Sequence, residues 1–207
     1  GKDAKAKNMF EALKLKKEFE KIGKRLKKHV KVLITDGQQP IGNGIGPALE
    51  ARDVLWLLKR DPRRPSDLEK KCLMICAAIF NMIGLKDGYK KSVEILSSGK
   101  AYQKMLEIIK AQGGKEIAAE DIKIGKCFYD FLSTKSGRIS SIDNMLISRI
   151  ARIAGAPTDK GAGIYLYRHV GEKVKKREKL FTIYAESMHE LEYAKDVTKN
   201  SKVVVVR

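Results

Sequence analysis

Leu15, Phe19, Ile22 and Leu26 recur at the i, i+4, i+7, i+11 rhythm of a single helix face, while Lys14, Lys17, Lys21, Lys24 and Lys28 fill the other positions. That pattern predicts an amphipathic helix over residues 8–29. The rhythm then breaks into the short β-branched run VKVLIT at 30–35, which predicts a buried strand. A stretch reading TDGQQPIGNGIGPALE follows, with four glycines and two prolines in sixteen residues. Pro47 suits the first turn of a helix running to about Lys59. Strand, glycine-rich loop and helix in that order form an α/β unit, and such units bind ligands at the carboxyl ends of their strands.

Helical periodicity then takes over. After the turn RDPRRPSD, Ser66 and Glu69 have capping-box spacing ahead of LEKKCLMICAAIFNMIG, a nearly all-apolar helix closed by Gly84. A helix through the low 90s and another over 100–112, stopped by Gly113 and Gly114, complete a helical middle. Past Cys127 the texture changes. GRISSI alternates, Asp143 stands where it would cap the helix NMLISRIARI, and Gly155 marks that helix's end. GIYLYRHV and LFTIYAES flank a turn at Gly171 and read as two paired strands, and the closing VVVV needs a sheet partner to avoid aggregation. The expected architecture is therefore mixed α/β and α+β. An α/β part with a helical segment occupies 1–127, and a small α+β domain occupies 128–207.

Composition adds bounds. With 207 residues, 43% hydrophobic and 33% charged, the chain can bury a core. It contains no apolar run of membrane-spanning length and no signal-like start. Cys72, Cys76 and Cys127 lack CxxC spacing. Cys72 and Cys76, one helical turn apart in an apolar segment, read as buried thiols, which fits a reducing cytoplasm. The net charge of +18 attracts anions. The lysines nevertheless recur on helix faces throughout the sequence, with no RNA-recognition aromatic motif and no zinc-finger spacing, which argues against a dedicated polynucleotide site.

Catalytic groups are sparse. His29, His169 and His189 lie far apart, none beside a nucleophile, and read as surface or packing residues. Asp121, Asp143 and Glu186 read as caps and turn residues. Chemistry concentrates in the glycine loop, which matches neither the P-loop nor GxGxxG. It offers amides suited to an anion, carbonyls suited to a cation, and Glu50 and Asp53 in the next helix. A tight turn that packs helix on strand is the alternative use of those glycines.

ITDGQQPIGNGIGPALEARDVLWLL resembles the signature segment of the thymidine and pyrimidine-nucleoside phosphorylase family, in the form carried by its archaeal branch, the AMP phosphorylases. SSGKAYQKMLEIIKAQGG is similar to a further segment of that family. DNMLISRIARIAGAPTDKGAGIYLYRHVGEKVKK with LFTIYAES is similar to its C-terminal domain. The resemblance covers nearly the whole chain in order. It implies a glycosyltransferase of the pentosyl class, with inorganic phosphate as co-substrate and no required cofactor. Phosphate attacks the anomeric carbon of AMP, giving adenine and ribose 1,5-bisphosphate, or of a nucleoside in the nucleoside-cleaving branch. A non-enzymatic basic module for assembly or polynucleotide binding is the reading from another class.

In the family, a phosphate-binding loop, the residues that grip the base, and the acid proposed for AMP cleavage precede the segment seen here. Nothing like them stands before Thr35. The resemblance therefore implies the C-terminal portion of an enzyme, a fragment or one chain of a split protein, inactive alone. It also implies a monovalent-cation site, with potassium the expected ion, at the carbonyls of Ile41 and Gly44 and the carboxylate of Asp53, where the relatives have Glu. Lys2 and Lys5 flank the family's active-site side and stand where they would meet a phosphate. The chain departs from the family at Arg177, near which a glycine is usual. The C-terminal hairpin and its edge predict a homo-oligomer.

Overall fold

The computed structural model describes residues 5–207. Helix α1, Met9–Arg25, opens where the Asn8 side chain accepts from the Glu11 N–H at 2.9 Å and buries only Gly23 along its length. The predicted strand at 30–35 does not form. The segment is extended with Leu33 and Ile34 exposed, and no ladder pairs with it among the described residues. A single strand cannot satisfy its own backbone, so apolar β-branched composition alone leaves it unassigned.

The glycine loop leads through a two-residue strand β1, Gly44–Ile45, into α2, Pro47–Leu58. Pro47 starts this helix, as its fixed φ favours. α2 is the central helix of the molecule and buries Ala48, Leu49, Asp53, Leu55, Trp56 and Leu57. On one side Leu57 packs with Leu73 of α3, Ser66–Met82, and Leu96 of α4, Gly88–Ser97. On another, Leu55 and Trp56 pack with Ala119, with Tyr165, and with Tyr102 of α5, Lys100–Ala111.

Two sequence readings of α3 need correction. The Ser66–Glu69 capping box is absent, because Pro65 is the cap residue and Glu69 instead pairs with Arg64 at 2.6 Å. Cys72 and Cys76 are exposed rather than buried. α3 uses its Leu68, Leu73 and Ala77 face for packing, and both thiols flank that face. The Gly84 stop is present, with a left-handed φ of 85°.

The rest of the chain is α+β. Strands β2 (Cys127–Leu132), β3 (Gly137–Ile142), β4 (Gly163–Leu166), β5 (Lys173–Val174), β6 (Lys179–Ala185) and β7 (Val204–Val206) alternate with α6 (Asn144–Ile153) and α7 (Met188–Lys199). One antiparallel sheet runs β1-β4-β6-β2 and a second runs β5-β3-β7. Asp143 caps α6 by accepting from Leu146 N–H at 2.9 Å. The four-valine tail finds its partner, with Val204–Val206 pairing with β3. The main core joins both sheets and both helices through Ile139, Ile147, Ile150, Ile164, Phe181, Ile183, Leu191 and Val203.

β1 belongs to the sheet of this C-terminal region, with Gly44 opposite Tyr165 and Ile45 opposite Ile164. The approach is close. A Cβ on Gly46, whose φ is 123°, would stand 2.4 Å from the Ala162 carbonyl oxygen, so only glycine fits there. Arg177 holds φ 68°, the left-handed geometry that glycine would adopt at lower cost. Among the described residues no helix is long and apolar enough to cross a membrane.

Candidate functional site around the glycine loop

The loop is fixed from three directions by side chains far apart in sequence. From α2, Asp53 Oδ2 accepts the N–H groups of Asn43 and Gly44, each at 2.7 Å. From α3, Asp67 accepts the Gly42 N–H at 3.1 Å. The C-terminal region supplies the third set. His169 Nε2 meets Asn43 Oδ1 at 2.9 Å, Val170 N–H donates to Gln39 Oε1 at 2.7 Å, and Asn144 Nδ2 donates to the Gly37 carbonyl at 3.1 Å. Glu50, in the first turn of α2, accepts from Gly46 N–H at 3.1 Å.

Asp53 is 2% exposed. Burial pushes its carboxyl above the usual carboxylate range. The Gly44 and Asn43 amides pull it back only in part, the Asp67 carboxylate adds to the rise, and Arg52 opposes it. Burial likewise raises the phenol of Tyr165, which accepts from Asn43 Nδ2 at 3.4 Å.

Four buried side-chain atoms lack a hydrogen-bond partner among the described residues: Arg52 Nε, Asp53 Oδ1, Asn144 Oδ1 and His169 Nδ1. All four belong to residues that touch this loop or adjoin Asp53. Buried polar atoms are normally paired, and a cluster of unpaired ones calls for a water, an ion or a ligand group. Two are carbonyl or carboxylate oxygens, the hard donors that a potassium-like cation takes. Asp53 Oδ1 therefore fits the carboxylate ligand of such a site, while Oδ2 is committed to the loop amides.

The sequence-derived site residues fall out unevenly. Gly44 and Asp53 are brought together, through an amide rather than a carbonyl contact. Ile41 lies at the exposed end of the loop, 39% accessible. Lys2 lies outside the described residues, and Lys5 is exposed. Asn43, Asp67, Asn144 and His169 were missed as site residues. Apart from the Asn43–Asp53 bond, their loop contacts span 25 to 126 positions, and nothing local marks Asp67, Asn144 or His169. Beside the loop, α1 and residues 32–38 enclose a groove of about 1030 Å³, lined by Met9, Leu15, Phe19, Leu33 and Ile34 on its apolar walls and by Thr35 and Asp36 at the loop end.

Comparison with known proteins places the chain. Residues 138–204 match the pyrimidine nucleoside phosphorylase C-terminal domain. An AMP phosphorylase of Thermococcus kodakarensis is 48% identical over 198 residues, covering 94% of this chain and 39% of that protein. A putative thymidine phosphorylase of Legionella pneumophila is 41% identical over 209 residues, covering 100% of this chain and 40% of the relative. An AMP phosphorylase of Thermofilum pendens is 38% identical over 207 residues, with the same coverage. The chain thus spans about two fifths of the length of the curated relatives it matches, and it corresponds to their C-terminal part.

Proposed function

Because this chain belongs to the thymidine and pyrimidine-nucleoside phosphorylase family, we propose that it is the C-terminal portion of a phosphorolytic pentosyltransferase acting on AMP. Its match to an AMP phosphorylase, 48% identical over 94% of the chain, carries that reading. The reaction has phosphate oxygen bond to the anomeric carbon as the glycosidic bond breaks and adenine leaves with the bonding electrons. An oxocarbenium-like centre between two anionic groups gains from fixed donors and a positive field, and the chain's net charge of +18 supplies such a field.

The role of this chain is to build one wall of that cleft. Asp53, Asp67 and His169 hold the glycine loop rigid beside the groove. The residues that bind phosphate and base, and any acid, belong to the part of the family that precedes Thr35, so the chain by itself has no turnover. The extended segment at 30–35 and the apolar face of α1 are the elements that further strands and helices of a complete α/β domain would cover. By family resemblance, Lys2 and Lys5 would contact phosphate.

A monovalent cation, when bound, would lock the loop electrostatically, held by Asp53 Oδ1 and, by family resemblance, by the carbonyls of Ile41 and Gly44. Potassium chloride should then raise the melting temperature above that in choline chloride at equal ionic strength, and Asp53→Ala should remove the difference.

The substrate reading is tested by grafting this chain in place of the C-terminal portion it matches in the Thermococcus kodakarensis enzyme. Products from AMP, thymidine and uridine with phosphate are then compared. Adenine release from AMP alone supports the proposal, and preferential cleavage of thymidine or uridine replaces it with the nucleoside reading, which the Legionella relative's name favours.

A further inference from the structure

Three cations far apart in sequence meet in space on one small sheet. In the order β5-β3-β7, Lys173 lies directly opposite Arg138. Arg138 in turn exchanges both main-chain hydrogen bonds with Arg207, at 2.6 and 2.8 Å. Residues directly opposite each other in antiparallel strands share a face, so Lys173, Arg138 and Arg207 form a row of three positive charges across three strands. The neighbouring bond from Ile139 N–H to the Glu172 carbonyl makes Arg138–Lys173 a non-hydrogen-bonded pair, the arrangement that brings side chains closest.

All three side chains are exposed, and among the described residues no side-chain carboxylate pairs with any of them. Arg138 donates through one Nη to the Gly171 carbonyl, which fixes the guanidinium in place and leaves its other N–H groups open. Lys175 joins Arg138 and Lys173 on a groove of about 540 Å³, also lined by Ser136 and Gly137. Lys135, Lys176 and Arg177 stand exposed around it. The one acid on the groove, Glu178, is already committed to Arg168 and to the Lys175 N–H at 2.7 Å.

Like charges facing each other across strands cost stability, and Arg177 in left-handed backbone adds strain that glycine would avoid. Costs kept together at one exposed spot point to binding rather than folding. We propose that this face binds an oligophosphate, an anion with two or three linked phosphate groups such as inorganic tripolyphosphate or a nucleotide's phosphate tail. The repeated negative charges along such a chain match a short row of cations. No aromatic side chain lines the groove, so no base is stacked there, which favours phosphate recognition over a polynucleotide reader. The row is three strands wide, too short to track a long polymer. This groove shares no lining residue with the glycine-loop contacts and does not rest on the phosphorylase reading.

The test is calorimetric titration of the whole chain with tripolyphosphate, with orthophosphate and with a mixed-sequence single-stranded RNA, at two salt concentrations. Tripolyphosphate should bind at least tenfold more tightly than orthophosphate. Arg138→Gln with Lys173→Gln should weaken it at least tenfold, while the double variant melts no lower than the parent because a repulsive pair is gone. Lys14→Gln with Lys110→Gln, on α1 and α5, should leave it unchanged. Equal loss from the control pair, or no loss from the Arg138/Lys173 pair, would mean attraction to net charge alone and overturn the proposal. RNA binding more tightly than tripolyphosphate at both salts, with the same residues responsible, would overturn the oligophosphate in favour of a polynucleotide.

Discussion

At the scale of the residue, Asp53 does the most. One of its oxygens satisfies two buried loop amides, and a carboxylate accepting N–H groups is stronger than a neutral acceptor. Asp53→Ala strands both amides and should cost about 2–4 kcal/mol, a fall of roughly 5–15 °C in melting temperature for a chain of this size. The pH dependence has a definite sign. Burial raises the folded carboxyl above its ordinary 3.8, so between those two values the folded state holds more protons than the unfolded one. Asp53 therefore makes stability fall as pH climbs through that window. Asp53→Asn cannot titrate, so its deficit against the parent should shrink from pH 4 to pH 7 in paired thermal melts. A deficit that widens would reverse the assignment of burial as the dominant cause. The sequence marked Asp53 by resemblance, but not its partners. Asn43 and His169 meet across 126 positions, and a contact of that span leaves no periodic trace.

At the scale of the element, legibility followed local chemistry. The Asp143 cap, the stops at Gly84 and Gly155 and the helix starting at Pro47 were all readable, since each is written in residues within one turn of its effect. Strand β2 was not, because CFYDFL lacks clean alternation, and its pairing with β6 supplies what its sequence does not. The run at 30–35 fails the other way, with strand composition and no partner. Two variants separate these situations. Gly46→Ala forces a side chain at φ 123° and within 2.4 Å of the Ala162 oxygen, and should cost about 2–4 kcal/mol in urea unfolding. Phe19→Ser with Ile22→Ser, at positions 56% and 52% exposed, should change the stability of this chain by about 0.5 kcal/mol or less. In the grafted enzyme the same pair should be severely destabilising, because that face is then covered. Equal effects in both settings would mean that nothing packs on α1.

At the scale of the whole molecule, the chain has one dense core in its C-terminal region, with α2 and the glycine loop bolted to it. α1 and the extended segment hang from this body with apolar faces uncovered. That gradient should appear in hydrogen exchange, with amides of β4 and β6 protected longest and those of α1 exchanging first. The proposed function is that this body completes a phosphorylase without being one. It is tested most directly by phosphate-dependent release of adenine from AMP, measured for the chain alone and for the graft onto the N-terminal portion of the Thermococcus kodakarensis enzyme. The account predicts no release from the chain alone and release strictly dependent on phosphate from the graft. Turnover by the chain alone, or a folded graft that binds neither AMP nor phosphate, would contradict it.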